Sequence, residues 1–225
     1  MIKIGHRGAK GFIAENTLES FQKALDLGVD AVELDVHLCA SGELVVFHDF
    51  TVDRMTNGSG EVHKMTLSEL KALKISNQYE IPTLTEVFDL IDRKCWINVE
   101  LKGHETAQAA VEIIEKYISE KGWQYNDFIV SSFQKEELER VFVLNKEIQL
   151  GILTQASVEQ ALEWAGELSA KAIHPHFSLL TEENCSEAQE KGYQIFTWTV
   201  NHEEDIQRLQ HYKINGIISD FPDRL

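Results

Sequence analysis

WINVELKGHETAQAAVEIIEKYISEKGWQYNDFIVSS, residues 96–132, contains two short apolar runs separated by one long helical pattern. WINVEL and FIVSS are rich in Val, Ile and aromatic residues and have the length of strands. Between them, Ala107, Ala110, Val111 and Ile114 recur at i, i+3, i+4 and i+7, which is one face of a helix, and Gly122 falls where that helix should stop. Strand, helix and strand in so short a stretch make a βαβ unit, whose two strands run parallel.

The same alternation extends outward over the whole chain. IKIG, AVELDV, WINVEL, FIVSSF, QLGIL, AKAIHP, QIFTWTV and GIIS are eight strand candidates, each followed by a segment of helical period. Helix boundaries are marked throughout: Asn16 with Glu19, Thr66 with Glu69 and Thr83 with Glu86 fit capping boxes, and Gly28, Gly166 and Gly192 stand where helices should end. Strands that are apolar on both faces suit a closed barrel covered by helices. Eight repeats in 225 residues therefore predict an α/β fold of the (β/α)8 TIM-barrel type, as one domain over 1–225, and not an open doubly wound sheet. Neither GxGxxG nor GxxxxGK[ST] occurs to support the open sheet. The chain ends in FPDRL soon after the eighth strand, so part of the helical ring is expected to be short, or covered by a second copy in a homo-oligomer.

One stretch breaks the repeat. About sixty residues separate AVELDV from WINVEL, more than a crossover needs. They contain an extra strand-like run, ELVVFHD, joined to the second strand across HLCASG, where Ser41 and Gly42 read as a turn. TVDRMTNGSGEV follows before helical pattern resumes. The stretch reads as an insertion after the second strand, at about 37–80, on the face of the barrel where such enzymes place their active sites.

Composition narrows the chemistry. With 21 basic and 37 acidic residues the net charge is −16, which disfavours nucleic acid and anionic membrane surfaces as partners. No apolar run is long enough to span a membrane and no basic-then-apolar leader opens the chain, so a cytoplasmic protein without membrane insertion is expected. Cys39, Cys95 and Cys185 are odd in number and far apart, a poor basis for disulfides or a zinc-thiolate site.

Polar residues inside the apolar strands carry the functional signal. Glu33 and Asp35 in VELDV are two apart and point to one face, and Glu100 and Lys102 in NVELK repeat the pattern on the next barrel strand. Three carboxylates aimed at one spot in a low-dielectric interior repel one another unless a cation sits between them. One hard divalent ion, Mg²⁺ or Ca²⁺, fits oxygen ligands and leaves positions open for water or substrate. His6 ends the first strand and His48 ends ELVVFHD, so both can reach the barrel mouth and divide general-acid and general-base work. Arg7 and Lys102 add fixed positive charge of the kind that holds a phosphate. The other histidines, His174 and His176 at a strand end included, are assigned no chemistry.

In order along the chain, HRG, ENT, ELDV, VVFHD with TVDRMTNGSGEV, PTLTEVFDLI, NVELK, SSF and TWTV together resemble the glycerophosphodiester phosphodiesterase family. The resemblance implies a TIM barrel with an insertion after its second strand. It also implies a metal-dependent hydrolase that cleaves a small-molecule glycerophosphodiester into glycerol 3-phosphate and an alcohol. Carried to matching positions, it makes His6 and His48 the acid–base pair, Glu33, Asp35 and Glu100 the metal ligands, and Arg7 and Lys102 the phosphate contacts. Glu15 of ENT, Gln134 after SSF and Trp198 of TWTV match places near the substrate, while Asn16 is explained as a helix cap. Ala14 stands where the family usually has Pro, a difference of loop stiffness. A related lysolipid-cleaving lyase would show an apolar loop where this insertion is polar. An enolase-type lyase would rest on Lys102 alone, and a catalytically silent binding barrel would have lost members of the set.

Overall fold

A computed structural model describes residues 1–225. Its barrel strands are β1 (Ile2–His6), β2 (Ala31–Leu38), β4 (Trp96–Leu101), β5 (Phe128–Ser132), β6 (Gln149–Thr154), β7 (Ala172–Pro175), β8 (Gln194–Thr197) and β9 (Gly216–Ser219). Every neighbouring pair is parallel, and β1 closes the ring by pairing with both β2 and β9. The connecting helices are α1 (Leu18–Asp26), α3 (Leu84–Ile91), α4 (Ala107–Lys121), α5 (Lys135–Leu144), α6 (Val158–Glu167), α7 (Glu182–Glu190) and α8 (Glu203–His211). The fold is therefore the (β/α)8 barrel that the alternating pattern predicts. After β9 only a single 3₁₀ turn remains, at Pro222–Arg224.

The extra segment lies between β2 and α3. β3 (Leu44–Val46) pairs antiparallel with the end of β2 across a turn at Gly42, whose φ of 96° suits glycine. The short α2 (Leu67–Ala72) follows, and Val45, Phe47, Val52, Val62, Leu70, Ile75 and Ile81 form a hydrophobic cluster of its own. This small core holds the loop after β3 against the barrel mouth and so positions His48.

Two of the three capping boxes form as read, with Thr66–Glu69 starting α2 and Thr83–Glu86 starting α3. The third does not: Thr17, not Asn16, caps α1 by accepting from the Ser20 N–H. Gly122 ends α4 with a φ of 73°, whereas Gly166 lies within the last turn of α6. No helix is long and apolar enough to cross a membrane.

The main core, 46 buried residues, fills the layer between sheet and helices. A smaller cluster of Ile4, Ala31, Ile129, Ala172, Phe196 and Ile218 plugs the amino-terminal end of the barrel interior. Polar residues occupy the carboxyl-terminal end.

Candidate active site

β1 delivers two functional groups in succession. It ends at His6, and Arg7 follows with φ of 51°, a strained backbone for a residue with a Cβ. That turn aims the Arg7 backbone N–H at Glu33 Oε2, 3.0 Å away. Gly8 permits it, because its φ is 85° and a Cβ there would lie 2.5 Å from Ser20 Oγ. The HRG element is thus a tight turn off the end of β1 that packs on α1 at Ser20, as well as a carrier of charge.

The three carboxylates converge. His6 is in register with Glu33, and Asp35 with Glu100, and one oxygen from each of Glu33, Asp35 and Glu100 lies within 4.8 Å of the others. All three are buried. Burial and the Asp35 and Glu100 charges push Glu33 well above the usual carboxylate range, and burial with the Asp35 charge pushes Glu100 up to about 7. Asp35 shifts down: burial opposes this, but the charges of Arg7, His48 and Lys102 and a hydrogen bond from Asn16 outweigh it. Asn16 Nδ2 donates to Asp35 Oδ2 at 2.9 Å, and Arg7 Nε pairs with the same oxygen at 3.2 Å without the alignment of a hydrogen bond. Asp35 Oδ1 is buried with no partner at all. An orphaned carboxylate oxygen between two carboxyls driven toward protonation fits a cation site, and three oxygen donors suit a hard divalent metal.

Both predicted histidines are anchored through Nδ1, by carboxylates of different origin. His6 Nδ1 lies 2.6 Å from Asp220 Oδ1, just beyond β9, and Asn201 Nδ2 donates to Asp220 Oδ2 at 2.9 Å. Asp220 is held down at about 2, burial being outweighed by the His6 hydrogen bond and charge. His48 Nδ1 lies 2.6 Å from Asp49 Oδ1, and Arg54 grips Asp49 through Nε at 2.5 Å and Nη2 at 2.9 Å. Burial lowers both histidine pKa values. Each ring keeps Nε2 clear of protein partners, so both can exchange protons with a molecule in the cavity they line.

That cavity, about 270 Å³, is lined by the polar His6, Arg7, Glu33, His48, Glu100, Lys102 and Gln155 together with the apolar Phe133, Leu153, Trp198 and Ile218. Lys102 Nζ donates to Glu100 Oε1 at 3.0 Å and lies 5.5 Å from the Phe133 ring centre. Trp198 is fixed by its indole N–H donating to the His174 carbonyl at 2.7 Å. Glu15 stands behind the wall, receiving Arg7 Nη1 at 2.7 Å and Arg54 Nη2 at 2.8 Å, and is lowered to about 2 because those cations outweigh its burial. Gln134 does not line the cavity: its amide donates to the Lys102 carbonyl at 3.0 Å, and Gln155 faces the cavity instead. Asn16, Asp49, Arg54, Asn98, Gln155, Asn201 and Asp220 are site residues that the sequence reading missed or, for Asn16, explained as a cap. Of these, Asp49 adjoins His48 and was the most accessible to reading.

The model of the glycerophosphoryl diester phosphodiesterase family matches residues 6–224. A glycerophosphodiester phosphodiesterase of Caldanaerobacter subterraneus subsp. tengcongensis is 36% identical over 232 residues, covering 99% of this chain and 95% of its own. Among solved structures, an Oleispira antarctica phosphodiesterase in complex with the product sn-glycerol-3-phosphate superposes with a TM-score of 0.90 at 30% identity, covering 98% of this chain and 93% of that one. A glycerophosphodiester phosphodiesterase from Thermotoga maritima gives 0.82 at 30% identity over 99% and 96%.

Proposed function

This chain belongs to the glycerophosphoryl diester phosphodiesterase family, and from that premise we propose that it hydrolyses glycerophosphodiesters to glycerol 3-phosphate and an alcohol by paired-histidine catalysis on a bound divalent ion. The observation that carries the reading is the cluster of three buried carboxylates, one with an orphaned oxygen, of which Glu33 and Glu100 line the same cavity as two histidines whose Nδ1 atoms are both anchored. Glu33, Asp35 and Glu100 hold the ion, Mg²⁺ or Ca²⁺. A bound ion would supply Lewis-acid polarisation of the phosphate.

The rest is the work of the protein's own groups. Arg7 and Lys102 bind the phosphate oxygens, and the Arg7 guanidinium is held in place by Glu15 and Asp35. The carboxylates at Nδ1 fix the histidine tautomers with the proton on Nδ1, leaving the Nε2 lone pairs toward the substrate. One imidazole removes the proton from the attacking oxygen, and the other, once protonated, returns one to the departing alcohol oxygen. Trp198 and Phe133 supply an apolar wall for the carbon skeleton of the glycerol moiety. Gln134 supports Lys102 through its carbonyl, and Glu15 acts through Arg7. Residues 1–225 work as one catalytic domain in the cytoplasm, in keeping with three buried free cysteines.

The test is product identity. Incubated with glycerophosphoethanolamine and Mg²⁺ or Ca²⁺, the protein is expected to release glycerol 3-phosphate and ethanolamine in equal amounts. Release of phosphoethanolamine and glycerol instead would mean cleavage of the other ester bond and would overturn the assignment.

A further inference from the structure

Arg54 lies in a turn of the extra segment after β3, five residues past Asp49, with its side chain 50% exposed. An arginine so placed is ordinarily a solvated charge whose ion pairs add little. The far end of this one is held differently. Its guanidinium is forked between carboxylates from two separate parts of the chain: Nε and Nη2 donate to the two oxygens of Asp49 at 2.5 and 2.9 Å, and Nη2 also donates to Glu15 Oε1 at 2.8 Å. Glu15 comes from the loop between β1 and α1 and is buried.

Shared atoms join these contacts into one chain. Asp49 Oδ1, which accepts from Arg54 Nη2, also meets His48 Nδ1 at 2.6 Å, and Glu15 Oε1, which accepts from the same Nη2, also accepts from Arg7 Nη1 at 2.7 Å. No contact between the His48 imidazole and the Arg7 guanidinium is longer than 2.9 Å. His48 and Arg7 both line the catalytic cavity, and Arg54 does not. The backbone under Arg54 is pinned as well: the Val52 N–H donates to the Gly60 carbonyl at 2.9 Å, the Thr56 N–H donates to the Val52 carbonyl at 3.0 Å, and Val52 is fully buried in the small core of the segment. A side chain rooted in that core and forked onto the β1 loop fixes the place of one relative to the other. Lysine would bring the same charge without the fork.

We propose that Arg54 is a positioning residue that sets the proton-transfer group His48 and the phosphate-binding Arg7 in one frame, acting through Asp49 and Glu15 and touching no substrate. The proposal rests on the roles given to His48 and Arg7 in the phosphodiesterase reading and adds the residue that registers them to each other. Without the fork, Asp49 is free to turn toward solvent and release the His48 ring, and Arg7 loses the cation that shares its Glu15 anchor.

Two measurements on the full chain test it. The first is proton–nitrogen correlation NMR of protein with isotope-labelled histidine nitrogens, at about pH 8, where neutral imidazole predominates. The His48 signals are assigned by their loss in His48→Gln. In the parent, His48 and His6 are each expected to show a single tautomer with the proton on Nδ1. Arg54→Gln is expected to abolish the single tautomer at His48 and to leave His6, anchored by Asp220, as it was. A His48 pattern that survives Arg54→Gln, or an equal change at His6, overturns the proposal. No substrate is present, so this result stands apart from the phosphodiesterase reading. The second is kcat and KM for glycerophosphoethanolamine at saturating metal, for Arg54→Gln and Arg54→Lys in the parent and for Arg54→Gln in His48→Ala. In the parent both substitutions are expected to lower kcat about tenfold or more and to raise KM. In His48→Ala, Arg54→Gln is expected to change kcat by less than about twofold, because the group it positions is gone, while KM still rises through Arg7. Parent kinetics in Arg54→Lys, or a kcat loss of the same size in the His48→Ala protein, overturns the proposal.

Discussion

The two ends of the barrel interior are built on the same strands and differ completely. At the amino-terminal end Ile4, Ala31, Ile129, Ala172, Phe196 and Ile218 pack together. Two residues further along those strands stand His6, Glu33, Ser131, His174, Trp198 and Asp220. Because side chains alternate with a period of two, both sets face the same interior, separated by about 6.6 Å. One end is a close-packed plug. The other holds the orphaned oxygens of Asp35, Asn98 and Ser131 and both unpartnered nitrogens of His174. A fold whose stability rests on the plug and on the outer layer of 46 buried residues can tolerate such unsatisfied groups where chemistry requires them.

The contrast is broken most sharply by removing the ion. Exhaustive dialysis against a chelator is expected to abolish turnover, and Mg²⁺ or Ca²⁺ to restore it, with Tm rising as metal is added because the ion binds the native state alone. Turnover persisting in chelator would remove the ion from the account of the upper end. Next in size is a lesion in the plug. Phe196→Ala should lose about 3–5 kcal/mol of stability, the usual result of emptying a buried aromatic site. Its kcat, corrected for the folded fraction, should stay within about twofold of the parent, and a large fall in kcat would mean that the two ends are not separable.

The smallest expected effect comes from a residue of the upper end that takes no part in the chemistry. His174 is fully buried without a partner, and burial lowers its pKa to about 3. The unfolded chain takes up the proton near 6.5, so the stability associated with neutral His174 is complete above that pH and is lost as pH falls toward about 3. Compared with His174→Gln, the parent should lose stability progressively as pH falls through that window. A difference between the two proteins that does not change from pH 6.5 to pH 4 would show that His174 finds a partner in solution.

Strand alternation, the closed barrel and the segment after β2 were all legible, because period and punctuation are local properties of the chain. The converging carboxylates were legible for the same reason: Glu33 with Asp35, and Glu100 with Lys102, share parity on neighbouring strands. What escaped reading depends on ring closure. Asp220 meets His6 across 214 positions of sequence, and only the pairing of β1 with β9 brings them together. Arg54 reaches Asp49 and Glu15 from the extra segment, whose path no repeat predicts. Asn16 misled because Asn three residues before Glu is a sound capping pattern, yet Thr17 satisfies the helix and frees the Asn16 amide for Asp35. Gln134 and Gln155 both follow strand ends, and nothing local shows which of the two faces the cavity.

The claim at the centre of this account is that His6 and His48, brought together at the upper end from separate elements, act as one proton-transfer unit. A double-mutant cycle on kcat tests it directly, using glycerophosphoethanolamine with saturating metal and His6→Ala, His48→Ala and the double variant, with Tm measured for each. Each single variant should lose on the order of 10²-fold or more at nearly unchanged Tm, and the double variant should lose far less than the product of the two. Losses that multiply would contradict the claim and leave the two histidines as independent binding groups.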